Sequence, residues 1–155
     1  MQPLKQQVQP RCGYTLIELM IVIAIVALLL LTVLPSYQTQ LVRAGRTAAH
    51  SELLQVVARQ ELYYVENRQY ASTLAQLGYP SDPYAIAAGG EWLAVDASER
   101  IYRIVLSMDG DDNAVSGFSV SAVPQLSQAR DTRCGVLKID SLGVKASAGS
   151  HSDCW

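Results

Sequence analysis

Residues 14–34 carry 18 apolar side chains in 21, interrupted only by Thr15, Glu18 and Thr32. As a helix this run rises about 32 Å, enough for a bilayer core of about 30 Å, so it predicts a membrane-spanning segment. Lys5 and Arg11 are the only charges before Glu18, and the next cation is Arg43. That bias keeps the leader cytoplasmic and sends the remainder outward. A cleaved secretory signal is the competing reading of a basic start followed by an apolar stretch. The run is longer than the usual signal core of roughly 7 to 15 residues, and no small-x-small site closes it. Val33-Leu34-Pro35-Ser36-Tyr37 is a poor cleavage sequence, and Cys12 precedes the run, which excludes it as a lipoprotein acceptor.

Glu18 is the anomaly. An ionised carboxylate within a membrane helix costs about 2 to 3 kcal/mol, less near the interface, and such residues usually have a partner. No Lys or Arg lies between Glu18 and Arg43. Either the carboxylate rests at headgroup depth, or its cation comes from outside the side chains. A new α-amino group made by cleavage between Gly13 and Tyr14 would supply one, on the same chain or a neighbour.

The run Arg11-Cys12-Gly13-Tyr14-Thr15-Leu16-Ile17-Glu18-Leu19, followed at once by the apolar stretch, resembles the processing motif of type IV prepilins. The resemblance implies cleavage by prepilin peptidase after Gly13 on the cytoplasmic face, with methylation of the new amino terminus at Tyr14. Tyr14 stands where the family usually has Phe and keeps the aromatic character. Glu18 matches the family's carboxylate, which pairs with the terminal amine of a neighbouring subunit during assembly. Two charges that are unfavourable in lipid become acceptable together when one subunit docks on another. The expected organisation is a leader at 1–13, a transmembrane and assembly half-helix at 14–34, and a periplasmic domain at 35–155.

Beyond the apolar run, Val42, Gly45, Ala49, Leu53, Val56 and Tyr63 recur at three- and four-residue steps, with Gln60 as the polar interruption. That period predicts one long helix over about 14–68, kinked at Pro35 and weakened again at Gly45. Residues 67–98 read as a connection, with Ser72 capping a short helix that Gly78 ends. Strands are expected at 101–108, 117–123 and 135–140, the last continuing through Gly143 into 144–146, with a hairpin loop at 109–113. The fold class is α+β, a helix laid on a small antiparallel sheet. Resemblance to pilins implies the same: a long N-terminal helix whose second half packs on the globular domain.

Removing the leader takes Cys12 with it and leaves Cys134 and Cys154, expected to pair in an oxidising compartment. Pro124, Asp131, Cys134-Gly135, Gly143 and Cys154-Trp155, with Tyr70-Ala71, Leu74 and Leu77-Gly78, resemble minor pilins of the PilE kind. In pilins the paired cysteines bound a C-terminal loop.

Catalysis is not indicated. His50 falls on the long helix and His151 near the end of the sequence, so neither joins a nucleophile-base set. The Asp109, Asp111, Asn113 spacing begins like a calcium loop, but Ala114 and Val120 stand where Gly and Glu are needed, so no metal or cofactor is expected. From residue 35 onward 10 basic face 13 acidic residues, which makes nucleic acid an unlikely partner by composition. The tyrosines lack the basic company of a base-stacking platform.

The function implied is that of a minor type IV pilus subunit, anchored in the inner membrane as a single pass and then incorporated into an extracellular pilus. Its partners would be prepilin peptidase, other major and minor pilins, the pilus assembly platform and the inner membrane. It would initiate assembly and support twitching motility and adhesion. A type II secretion pseudopilin shares the processing motif, and a membrane-anchored periplasmic binding module is the alternative from another class.

Overall fold

The computed structural model of the chain describes residues 13–110, 117–149 and 151–155, without the side chains of 32–36 and 152. The chain divides into two compact units, Met1–Gln38 and Thr39–Trp155. Helix α1, Leu16–Asn67, contributes to both. It is helical through position 35, and the Pro35 side chain expected to kink it lies outside the described residues. At its end Asn67 Nδ2 donates to the Tyr63 carbonyl (3.0 Å), and Arg68 turns left-handed at φ 58° while its N–H caps Tyr64.

Gly45 does not interrupt the helix. A Cβ there would lie 2.5 Å from Gln128 Oε1 and 3.1 Å from Ile101 Cδ1, so the missing side chain opens the space through which Gln128 approaches. Gln128 Nε2 then donates to the Val42 carbonyl (3.0 Å) and to the Tyr102 hydroxyl (3.1 Å). Gln60 is likewise explained: its fully buried amide accepts from Ala71 N–H and donates to Ala71 O, both at 2.9 Å. Left unpaired, such a group would cost about 1–3 kcal/mol.

Within Thr39–Trp155 the sheet has six antiparallel strands: β1 (Tyr84–Ile86), β2 (Trp92–Leu93), β3 (Tyr102–Asp109), β4 (Gly117–Pro124), β5 (Leu137–Asp140) and β6 (Lys145–Ser147). Their order is β2-β1-β3-β4-β5-β6. The register Ile104↔Ala122↔Leu137 puts alternate residues of three strands on one face. That face, with Val120 and Ile139, joins Ala49, Leu53 and Val56 of α1 in the core. Burying each large aliphatic side chain there contributes about 1.5–3 kcal/mol. The α+β arrangement expected from the sequence is thus present, with two strands, β1 and β2, inside the region read as a connection.

The short 3₁₀ turn Leu74–Leu77 is capped by Thr73 rather than Ser72. Thr73 Oγ1 accepts from Gln76 N–H while the Gln76 side chain accepts from Thr73 N–H, a reciprocal capping box. Gly78 ends the turn at φ 82°, a conformation that favours glycine.

Candidate assembly site

Gly13, Tyr14 and Glu18 lie together at the start of α1. Thr15 Oγ1 accepts from the Glu18 N–H at 3.3 Å, so Thr15 satisfies one of the orphan donors of the first turn. Glu18 stands in that first turn, where the helix dipole favours a carboxylate. Its side chain is exposed, and among the described residues no cationic side chain pairs with it. Tyr14 is 88% exposed, and the apolar side chains along 16–31 are exposed as well. An apolar surface of this extent marks a membrane or protein contact.

Among the described residues no helix is long and apolar enough to cross a membrane. The described apolar side chains of α1 cover 16–31, a rise of about 24 Å, and residues 32–34 of the expected span lie outside the described side chains. Of the leader, residues 1–12, Cys12 among them, lie outside the described residues, as do Asp111, Asn113 and Ala114 of the acidic turn.

At the other end of the sequence, Cys134 and Cys154 form the disulfide, with Cα atoms 5.5 Å apart. Two side-chain attachments hold the disulfide region to α1, and backbone bonds tie the bounded loop to itself. The first is the pair between Arg46 and Asp131, with Nε to Oδ2 at 3.1 Å and Nη2 to Oδ1 at 3.0 Å. Both side chains are nearly buried, at 12% and 2% exposure. Asp131 Oδ1 also accepts from Cys134 N–H at 3.3 Å, so one carboxylate positions both the helix cation and a disulfide cysteine.

The second attachment is His50, whose ring stacks on Trp155 at 4.6 Å while Nε2 meets the Cys154 carbonyl at 2.8 Å. Burial lowers the His50 pKa, with Arg46 and Lys145 reinforcing the shift against the Cys154 bond. A neutral ring with the proton on Nε2 suits that contact. Within the loop itself, Gly149 N–H donates to Cys134 O (2.9 Å) and Ala148 N–H to Val136 O (2.8 Å), which draws its two ends together. A Cβ on Gly149 would lie against the Arg133 carbonyl, so the two chain segments approach too closely for another residue.

A second buried cluster supports β1 and β2. Glu52, 3% exposed, accepts from the Tyr84 hydroxyl and from Trp92 Nε1 (3.1 Å). Arg59 lies over the rings of Tyr79 (4.6 Å) and Trp92 (5.3 Å) and donates to Leu77 O. Burial raises Tyr79 to about 12, and burial together with the Glu52 hydrogen bond raises Tyr84 further, so both phenols stay neutral. Neither cluster was legible as a unit in the sequence. Arg46 and His50 stand one turn apart on the helix, but their partners are 85 and 104 residues away.

A family model described as "Type IV minor pilin ComP, DNA uptake sequence receptor" matches residues 35–138. A second, described as "Prokaryotic N-terminal methylation motif", matches residues 9–34. The type IV wide pilus major component PilA4 of Thermus thermophilus is 36% identical over 101 residues, covering 63% of this chain and 74% of that protein. Among solved structures, a type IV pilin from Shewanella oneidensis aligns over 71% of this chain and 92% of its own, at 23% identity and a TM-score of 0.47.

Proposed function

Because the chain belongs to the type IV minor pilin family, we propose that it is a minor subunit of a type IV pilus, cut by prepilin peptidase between Gly13 and Tyr14, methylated at Tyr14 and packed into the fibre or its priming complex. The observation that carries this reading is the methylation motif at 9–34 joined directly to the pilin match at 35–138. The mechanism is assembly. The processed chain waits in the inner membrane as a single pass with its second unit in the periplasm. The exposed apolar side chains of 16–31 exchange lipid for neighbouring subunits, and Glu18 meets the methylated amine of the next chain. The assembly platform and other major and minor pilins are the partners, and twitching motility and adhesion are the outputs.

Losing a charge pair worth about 2–3 kcal/mol in lipid corresponds to more than tenfold in docking. Glu18→Ala is therefore expected to leave leader cleavage and membrane levels unchanged while lowering the fraction recovered in sheared fibres at least about tenfold. Equal incorporation of Glu18→Ala and the wild type would reject the docking role.

The description of the matched family favours a second reading, in which the chain receives DNA at the cell surface. The excess of acidic over basic residues from position 35 onward works against it, so any such contact must be local. Retention of duplex DNA by the full chain in a gel shift at physiological salt would support this reading. Retention confined to low salt would reduce it to non-specific attraction.

A further inference from the structure

Four cations gather at one end of the Thr39–Trp155 unit. Arg103 stands at the start of β3, Lys138 at the start of β5, and Arg130 closes the 3₁₀ turn Leu126–Arg130, all exposed. Arg43 of α1 is exposed at the same end, because Gln128 of that turn reaches the Val42 carbonyl and Gly45 faces Ile101. None of the four has an acidic side-chain partner among the described residues. Asp131 and Asp153 are already held by Arg46 and Arg133, and the exposed Asp96 and Glu99 of the loop before β3 offset the excess only in part.

The same end carries an apolar side chain on a strained backbone. Leu126 is 50% exposed and turns left-handed at φ 45°, a region that a bulky residue enters only when its surroundings force it. They do so here: Gln125 N–H donates to Ile101 O (2.8 Å), Gln128 N–H to Gln125 O (2.9 Å) and Gln128 Nε2 to Val42 O (3.0 Å). The turn is thereby fastened to α1 and to the entry of β3, and it offers an exposed leucine on the same turn as Arg130. Leu41 is exposed just ahead of Arg43. Apolar groups among unpaired cations suit the boundary of a bilayer, where the apolar part enters the acyl edge and the cations meet phosphates.

We propose that this end of the unit seats on an anionic lipid surface, with Leu126 entering the acyl boundary and Arg43, Arg103 and Arg130 meeting lipid phosphates. The proposal rests on the reading of 14–34 as a membrane span. Nine residues separate Leu34 from Arg43, about 14 Å of helix rise. The polar layer outside the hydrocarbon is about 5–8 Å deep, which leaves a gap that an extended arginine side chain crosses. The positive-inside bias disfavours cations this near a span on the outer side, so an unpaired Arg43 there calls for an anion. Each cation contributes modestly, and their sum weakens in salt. Duplex DNA presents the same phosphates but no acyl layer for Leu126, which favours lipid. Seated in this way, the unit rests against the bilayer until a partner displaces the lipid.

The test places the full chain in vesicles of phosphatidylcholine alone and of an equimolar mixture with phosphatidylglycerol. An environment-sensitive fluorescent side chain at Ser127 reports quenching by nitroxides carried on the lipid headgroup or high on the acyl chain. Headgroup quenching is expected to be at least about threefold greater in the anionic vesicles and to fall to the phosphatidylcholine level as salt is raised. Arg43→Gln with Arg103→Gln and Arg130→Gln should bring the two vesicle types to within about 1.5-fold of each other. Leu126→Asn places a residue that tolerates the left-handed backbone, so the fold should hold while acyl-chain quenching drops at least about twofold. Thiol labelling of the Cys134–Cys154 bond verifies that each variant is folded. Equal quenching in the two vesicle types would overturn the proposal, as would a difference that survives in the triple variant or acyl-chain quenching that Leu126→Asn leaves unchanged. If the triple variant keeps its lipid quenching and instead loses retention of duplex DNA at physiological salt, the basic end serves nucleic acid and the proposal fails. A chain that does not float with either kind of vesicle would instead defeat the membrane-span reading itself.

Discussion

Replacing Asp131 with Ala is expected to destabilise the Thr39–Trp155 unit by about 3–5 kcal/mol, the cost of removing one partner from a buried ion pair. The substitution leaves the Arg46 guanidinium, at 12% exposure, without its carboxylate, and it strips Cys134 N–H of an acceptor. Both groups would remain buried, so the loss exceeds what the attraction alone contributes. Unfolding of the full chain in detergent, followed by tryptophan fluorescence, reads this directly, because Trp92 and Trp155 both belong to this unit. A midpoint shift worth less than about 1 kcal/mol would place the pair among the weak surface bridges. Arg46→Met with Asp131→Leu removes both charges and should recover most of the loss.

Removing the disulfide with Cys134→Ala and Cys154→Ala is expected to cost about 3 kcal/mol, the loop-entropy value for a closure of this length. The separation is 20 residues. Local contacts should keep the loop near its place in the folded state: β5 pairs with β6, Trp155 Nε1 donates to Ala146 O, and His50 stacks on Trp155. The change therefore acts mainly on the unfolded chain, and urea titration should show a lower midpoint with an intact sheet signal. A stability equal to that of the wild type would reject the bridge as a staple. Combined with Asp131→Ala the two losses should fall short of additive, since Asp131 and Cys134 share a hydrogen bond.

Much of the fold follows from local features of the sequence, and the rest from long-range contacts. The strands read at 101–108 and 117–123 differ from β3 and β4 by a single residue at each displaced end, because long alternating runs bounded by turn residues leave little freedom. β1 and β2 escaped notice for a physical reason: they are three and two residues long, and Tyr84, Ala85 and Ile86 are buried on both faces, so no alternation marks them. Thr73 was legible, since it stands three residues before Gln76 in the capping-box spacing, while Ser72 does not. Gly45 was not. Its role is set by Gln128 and Ile101, far along the chain, and a glycine on a helix face reads as a weak point until the side chain that fills its place is known.

The assembly residues show the same division. Glu18 stands out as a lone carboxylate in an apolar run, and the cysteines pair once Cys12 is assigned to the leader. Arg46, Asp131, His50 and Trp155 have ordinary identities, and only folding brings them together around the disulfide.

On the proposed function the working chain begins at Tyr14 and assembles through that new end. Intact mass of the protein extracted from membranes decides whether it does. The expected result is an amino terminus at Tyr14 carrying one methyl group, with Cys134 and Cys154 oxidised; an unprocessed Met1 or a terminus near Ser36 would contradict it.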